Sequence, residues 1–172
     1  MRTETITRNL YKFDELSDDA KDKAIEKLWD INVDYDWWQW TYADAEEIGL
    51  KLTGFDLDRG SYCKGEFIDT AEYAAKRIIK NHGDTCETYK DAQNYLRDLE
   101  IAIAKNLEEN ADCDYPEDYL DTEEIDDEFL RNLLEDYRIL LQKEWDYLTS
   151  RKAIIETIEG NGYEFDEDGN LA

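Results

Sequence analysis

Four tryptophans fall within fifteen residues, in the stretch Leu28 to Tyr42, LWDINVDYDWWQWTY. Trp29, Trp37, Trp38 and Trp40 stand there beside Tyr35 and Tyr42. Each aromatic side chain removes roughly 150–250 Å² from water when buried, so this stretch is expected to nucleate the core. The alternative is an exposed aromatic patch of the kind that anchors protein interfaces.

Around that stretch the chain is sharply acidic. Twenty Lys and Arg stand against 45 Asp and Glu, a formal charge of −25. A field of that sign repels nucleic acid and anionic membrane and attracts cationic protein surfaces. A nucleic-acid binder carries a basic patch, and only the first thirteen residues lean positive. The expected partner is a basic protein, with no direct nucleic acid and no membrane. An aromatic content of 13% sets the chain apart from disordered acidic tails, which are poor in aromatics. Its 172 residues suit one folded domain with an appended element.

Cys63, Cys86 and Cys113 are odd in number and widely spaced, a pattern that suits a reducing cytosol better than a disulfide framework. The N-terminal MRTETITRNLYKF lacks the apolar core of a signal peptide. No run approaches the ~18 apolar residues of a membrane span. A soluble, cytoplasmic protein is expected.

The periodicities outline an α+β fold, helix-rich, with a small antiparallel sheet and a long C-terminal helical hairpin. Thr3–Phe13 alternates as a first strand. Ser17 caps a helix carrying Ala20, Ala24, Ile25, Leu28 and Trp29, and a second helix is expected over Trp37–Ile48. Residues 50–68 read as a β-hairpin turning at Arg59-Gly60-Ser61. Asp69-Thr70 opens a helix that stops at Asn81-His82-Gly83. Ala92, Leu96, Leu99 and Ile103 form one seam, and Leu130, Leu134, Tyr137, Leu141 and Leu148 a second, which can pack as an antiparallel pair. Three segments follow: an aromatic-nucleated core over 1–90, an acidic helical hairpin over 91–160, and a terminal strand and turn over 161–172.

The most informative local feature is an acidic block. Between Glu108 and Asp136 fourteen carboxylates meet a single Arg131, a charge of −13 in a sixth of the length. One reading is a solvated surface that keeps the protein soluble. The sharper one is a carboxylate array imitating a phosphate backbone, which in duplex DNA presents one charge per ~1.7 Å of axis. The candidate binding residues are Asp112, Asp114, Glu117, Asp118, Asp121, Glu123, Glu124, Asp126, Asp127 and Glu128. Tyr115, Tyr119 and Phe129 interleave with them as apolar contacts.

Other chemistry is thinner. His82, Cys86, Cys63 and Cys113 make a Cys₃His zinc set arithmetically, without the paired short spacings of structural sites. Asp166-Glu167-Asp168-Gly169-Asn170 begins like a calcium loop but lacks its terminal bidentate Glu, and reads as a turn. With one histidine and no GxSxG, P-loop or HExxH, no catalytic signature is present. No cofactor and no enzyme activity are expected.

The segments YKFDELSDDAKDKAIEKLWDINVDYDWW, GFDLDRGSYCKGEF and NGYEFDEDGNL resemble a group of small acidic bacteriophage and prophage proteins. Members are often labelled antitoxin-like proteins of toxin–antitoxin stability systems. The resemblance covers most of residues 1–90 and the tail. It implies a phage or mobile-element protein acting inside a bacterium and transfers no site residues. In charge and size the chain is also similar to anti-restriction and anti-CRISPR inhibitors that imitate nucleic acid. A protein masking a cationic toxin is the alternative reading.

Overall fold

The structure, a computed structural model, describes residues 8–172. It is α+β and helix-rich, with two small antiparallel sheets, β1 (Tyr11–Lys12) with β4 (Glu164–Phe165) and β2 (Leu50–Asp56) with β3 (Tyr62–Phe67). The helices are α1 (Asp18–Lys27), α2 (Gln39–Glu47), α3 (Ala71–Asn81), α4 (Glu87–Glu109), α5 (Glu123–Leu148) and α6 (Arg151–Asn161). Most of the strand expected over Thr3–Phe13 lies outside the described residues. Among the described residues no helix is long and apolar enough to cross a membrane.

Among the described residues two compact units emerge, one formed by residues 8–37 with 143–172 and the other by 38–142. In the first, Ser17 accepts a hydrogen bond from the Ala20 amide and starts α1, satisfying one of the donors a helix leaves free at its N-terminus. Ala20, Ala24 and Ile25 then pack with Phe13, Leu16, Ile154, Ile158 and Phe165. Tyr11 pairs with Phe165 and Lys12 with Glu164, and Lys12 also reaches the Gly162 carbonyl at 2.8 Å. The helix α6 departs from the expectation of one hairpin running to residue 160. Ser150 breaks the chain after α5 and caps α6 through the Ala153 amide.

Buried Asn32 ties this unit together. Its Nδ2 donates to the Leu148 carbonyl at 3.0 Å and its Oδ1 accepts from the Thr157 hydroxyl at 2.6 Å. Asn32→Ala leaves two polar groups without their partner, each costing ~1–3 kcal/mol when buried. A thermal melt should show the midpoint lowered by roughly 4–24 °C; an unchanged midpoint would mean water replaces the amide without cost.

In the second unit the hairpin forms as the sequence predicts. Leu50 pairs with Phe67 and Asp56 with Tyr62, with a bulge between Leu52 and Gly54, and Gly60 takes φ +80° at the turn. Leu50 and Leu52 point inward and join Ala45, Ile48, Ala75, Ile78, Ala92, Tyr95, Leu99, Phe129, Leu133 and Tyr137 in one core. The α4 and α5 helices run antiparallel. Tyr95 stacks on Phe129 with ring centroids 4.5 Å apart, while Asp91, one turn earlier on α4, meets Asp136, two turns later on α5.

Three details of the expected packing change. The buried row of α5 is Phe129, Leu133, Tyr137 and Leu141, a residue earlier than the expected Leu130 and Leu134, which pack at its edge. Ile103 is 39% exposed, because Asn106 and Asn110 continue the inward row of α4. Asn106 donates to the Pro116 carbonyl at 2.6 Å and receives the Asn110 amide at 2.9 Å. The tryptophan stretch is not a single nucleus. Trp37 is buried against Trp145 in the first unit, whereas Trp38 and Tyr42 pack on Phe55 in the second. Trp40 is 82% exposed. The helix α2 begins at Gln39, two residues later than expected, and turns Trp38, Tyr42, Ala45 and Ile48 inward at helical spacing; Trp40 falls on the opposite side.

Candidate functional site

The acidic block occupies the end of the α4–α5 hairpin. Asp112 and Asp114 lie in the loop after α4, and Glu117 and Asp118 in a 3-10 turn over Pro116–Tyr119. Asp121 precedes α5, and the remaining candidates sit in its first two turns. Carboxylates are favoured there because the first turn presents unpaired amides and the positive end of the helix dipole. The Asp121 side chain makes this concrete by accepting from the Glu123 amide at 3.0 Å.

The helix then sorts the acids. At about 100° per residue, Glu123, Asp127, Glu124 and Glu128 span an arc of roughly 140°, and all four are exposed. Phe129, Leu133 and Tyr137 occupy the opposite arc and are buried. Four carboxylates fall within about 8 Å of helix axis at 1.5 Å per residue, a density of about one charge per 2 Å, close to the ~1.7 Å of duplex DNA. The pairs Glu123–Asp127 and Glu124–Glu128 are like charges at i,i+4, each disfavoured by about 0.2–0.5 kcal/mol. The fold carries that repulsion on an exposed face.

Asp126 departs from its neighbours. It is half-buried, its Oδ1 accepts from the Tyr95 hydroxyl at 2.7 Å and its Oδ2 from the Thr122 hydroxyl at 2.9 Å. Burial and this bond push the Tyr95 phenol well above its ordinary range. Asp126 therefore joins α4 to α5, and a partner meets it only by breaking those bonds. Asp112, Asp114, Glu117, Asp118 and Asp121 are exposed beside Tyr115 and Tyr119, each about two-thirds exposed. The third interleaved aromatic, Phe129, is buried and supplies no surface.

The other candidate chemistry disperses. Cys63 is half-buried in β3, where burial pushes its thiol up to about 11. Cys86 and Cys113 are exposed. His82 Nδ1 lies 2.8 Å from the Thr88 hydroxyl and its Nε2 3.8 Å from Asp44. Among the described residues no three or more His, Cys, Asp or Glu side chains gather to hold a metal ion. The DEDG segment is a turn. Asp166 accepts from the amides of Asp168 and Asn170 and from the Asn170 side chain at 2.8–3.0 Å, which holds its carboxyl below the usual range.

A cleft of about 240 Å³ lies between α4 and α5. Its walls offer the carboxyls of Asp91, Asp98 and Glu128, the amides of Asn94 and Asn132, and the Arg97 guanidinium, which Asp98 already holds at 3.2 Å. Those groups can bind charge or move a proton, and none is a Ser, Cys or His nucleophile. Sequence reasoning missed the most perturbed acid of the unit, Asp136. Burial first, then the neighbouring carboxyls of Asp91 and Glu87, push it up to about 6. No spacing rule pairs residues 91 and 136, and only the seam periodicities hinted that their helices meet.

No protein-family model, curated protein or solved structure matches the chain.

Proposed function

We propose that this protein is a non-enzymatic, phage-type inhibitor that binds a basic, nucleic-acid-handling host protein. Its carboxylate-rich face stands in for a nucleic-acid backbone. The carrying observation is the outward arc of Glu123, Glu124, Asp127 and Glu128, whose axial charge density is near that of duplex DNA. The exposed acids from Asp112 to Asp121 extend it, and Tyr115 and Tyr119 add apolar area beside it. A cationic groove built for phosphates would find on this helix end a comparable run of fixed negative charge.

The test is capture from bacterial lysate at 0.1 M salt on the immobilised protein, followed by a salt gradient and by added duplex DNA. Exposed charge pairs weaken as the Debye length shrinks from ~10 Å at 0.1 M to ~3 Å at 1 M. The expected result is a defined nucleic-acid-binding protein that salt releases and DNA displaces. A captured protein indifferent to both would overturn the reading and move attention to exposed aromatics such as Trp40. A single cationic partner that DNA does not displace would favour the antitoxin-like alternative.

A further inference from the structure

The inner faces of α4 and α5 hold a pair of carboxyls, Asp91 and Asp136, whose nearest cation is the exposed Lys90. Asp136 buries its Oδ2 without a hydrogen-bond partner, so an ionised Asp136 would leave a buried acceptor empty, a costly state. Protonated, its hydroxyl donates to the Asp91 carboxylate across the helix seam. The surroundings add negative charge. On α4, Glu87 faces the pair and takes Lys90 at 2.6 Å. On α5, Glu135 takes Arg138 at 2.6 Å, and Tyr137 follows Asp136 in the core. From α2, Asp44 accepts the Tyr137 hydroxyl at 2.7 Å; His82, after α3, faces Asp44; and the Cys63 thiol of β3 lies in the same field as Tyr137. Of these cations only Lys90 acts on the pair, through Asp91, while it is bonded to Glu87.

We infer that Asp91 and Asp136 form a proton-operated clasp between α4 and α5, closed while one proton is held between the two carboxyls and loosened when it leaves. Two half-buried carboxylates side by side cannot both ionise without raising the energy of the closed seam. The folded protein holds a proton that the unfolded chain releases at a lower pH, so the clasp's contribution is full at acidic pH. It declines as pH rises from the unfolded carboxyl's range, about 4, to the titration of Asp136 at about 6, and is constant above that. The inference stands apart from partner binding: the clasp lies along the seam, and neither of its residues belongs to the outward arc.

The experiment is amide hydrogen exchange on the whole chain between pH 5 and pH 7.5, read as protection factors so that the intrinsic pH dependence of exchange cancels. For amides of residues 91–99 and 129–137 the expected result is a fall of up to about tenfold between pH 5 and pH 6, one proton over one pH unit, and no further change from there to pH 7.5. Amides 154–158, in the other unit, should not share it. Asp136→Asn, whose amide donates permanently to Asp91, should abolish the fall, and Asp91→Asn should do the same by removing the second charge. Should either variant fail to fold, the ¹³C carboxyl titration of Asp136 in the unaltered protein decides the matter. A midpoint near 6 supports the clasp and one below 4.5 overturns it. Protection that ignores pH in the unaltered protein, or a fall that persists in Asp136→Asn, also overturns it.

Discussion

Replacing Glu123, Glu124, Asp127 and Glu128 together by lysine is expected to weaken capture of the proposed cationic partner about a hundredfold at 0.1 M salt. Exposed ion pairs contribute ~0.2–1 kcal/mol each, so losing four comes to about 0.8–4 kcal/mol, a range that includes the ~2.7 kcal/mol of a hundredfold change. Each substitution also puts repulsion where there was attraction. The net charge moves from −25 to −17, because each of four reversals adds two. A general field effect must therefore be separated from a local one. The control reverses Glu26, Asp34, Asp36 and Glu159, all exposed and all outside the α4–α5 hairpin. It reaches the same −17 and should keep most of the affinity. Equal losses in the two variants would reduce the acidic face to bulk charge. Lysines in the first turns of α5 oppose the helix dipole at ~0.3–1 kcal/mol each. Circular dichroism must accordingly show the helical signal intact before the binding result is read.

Gly169→Ala is expected to give the largest stability loss of any glycine-to-alanine change in this chain. Gly169 adopts φ +79°, and a Cβ placed on it would stand 2.2 Å from the carbonyl oxygen of Ala20 and 3.0 Å from its carbonyl carbon. Those are backbone atoms of α1, so no side-chain rotation relieves the overlap. The left-handed conformation costs a non-glycine residue roughly 1–2 kcal/mol and the forced displacement ~1–3 kcal/mol more. For a chain of this size the melting midpoint should fall by about 4–20 °C. Gly160→Ala is the matched control. Gly160 lies inside α6 with nothing within 4 Å of the added carbon, so alanine should stabilise by up to about 1 kcal/mol. A Gly169→Ala protein that melts like the parent would mean the 166–170 turn can lift off α1 at no cost.

Much of this architecture is legible from local chemistry. Ser17 and Thr70 announce their helices because a hydroxyl three residues before a free amide has one obvious use, and both side chains make that bond. Arg59-Gly60-Ser61 announces the hairpin because glycine reaches positive φ freely. What local chemistry leaves open is pairing at a distance. Nothing in YKF or YEF says that Tyr11 will face Phe165, and a two-residue strand carries no periodicity to detect. Ser150 offered the same capping signal as Ser17, but the continuous run of leucines and acids around it masked the break. The tryptophans misled for a different reason. Hydrophobic surface predicts burial on average, but α2 has one inward stripe, and Trp40 sits two residues off it. At the acidic block, the spacing of Glu123, Glu124, Asp127 and Glu128 already implied a shared face once α5 was placed. The internal engagement of Asp126 depended on Tyr95, thirty-one positions away.

The first unit is assembled from both ends of the described chain, with the second inserted between them. During synthesis the inserted segment is finished first, and its core residues are all contained within it. The partners of Phe13, Leu16 and Ile25, namely Ile154, Ile158 and Phe165, are made after it. At ~5–20 residues per second, residues 143–172 take a further 2–6 s or so to appear. For that interval Phe13, Leu16 and Ile25 have only their local neighbours such as Ala20 and Ala24 to pack against, so this half-built core stays exposed while the second unit is already closed.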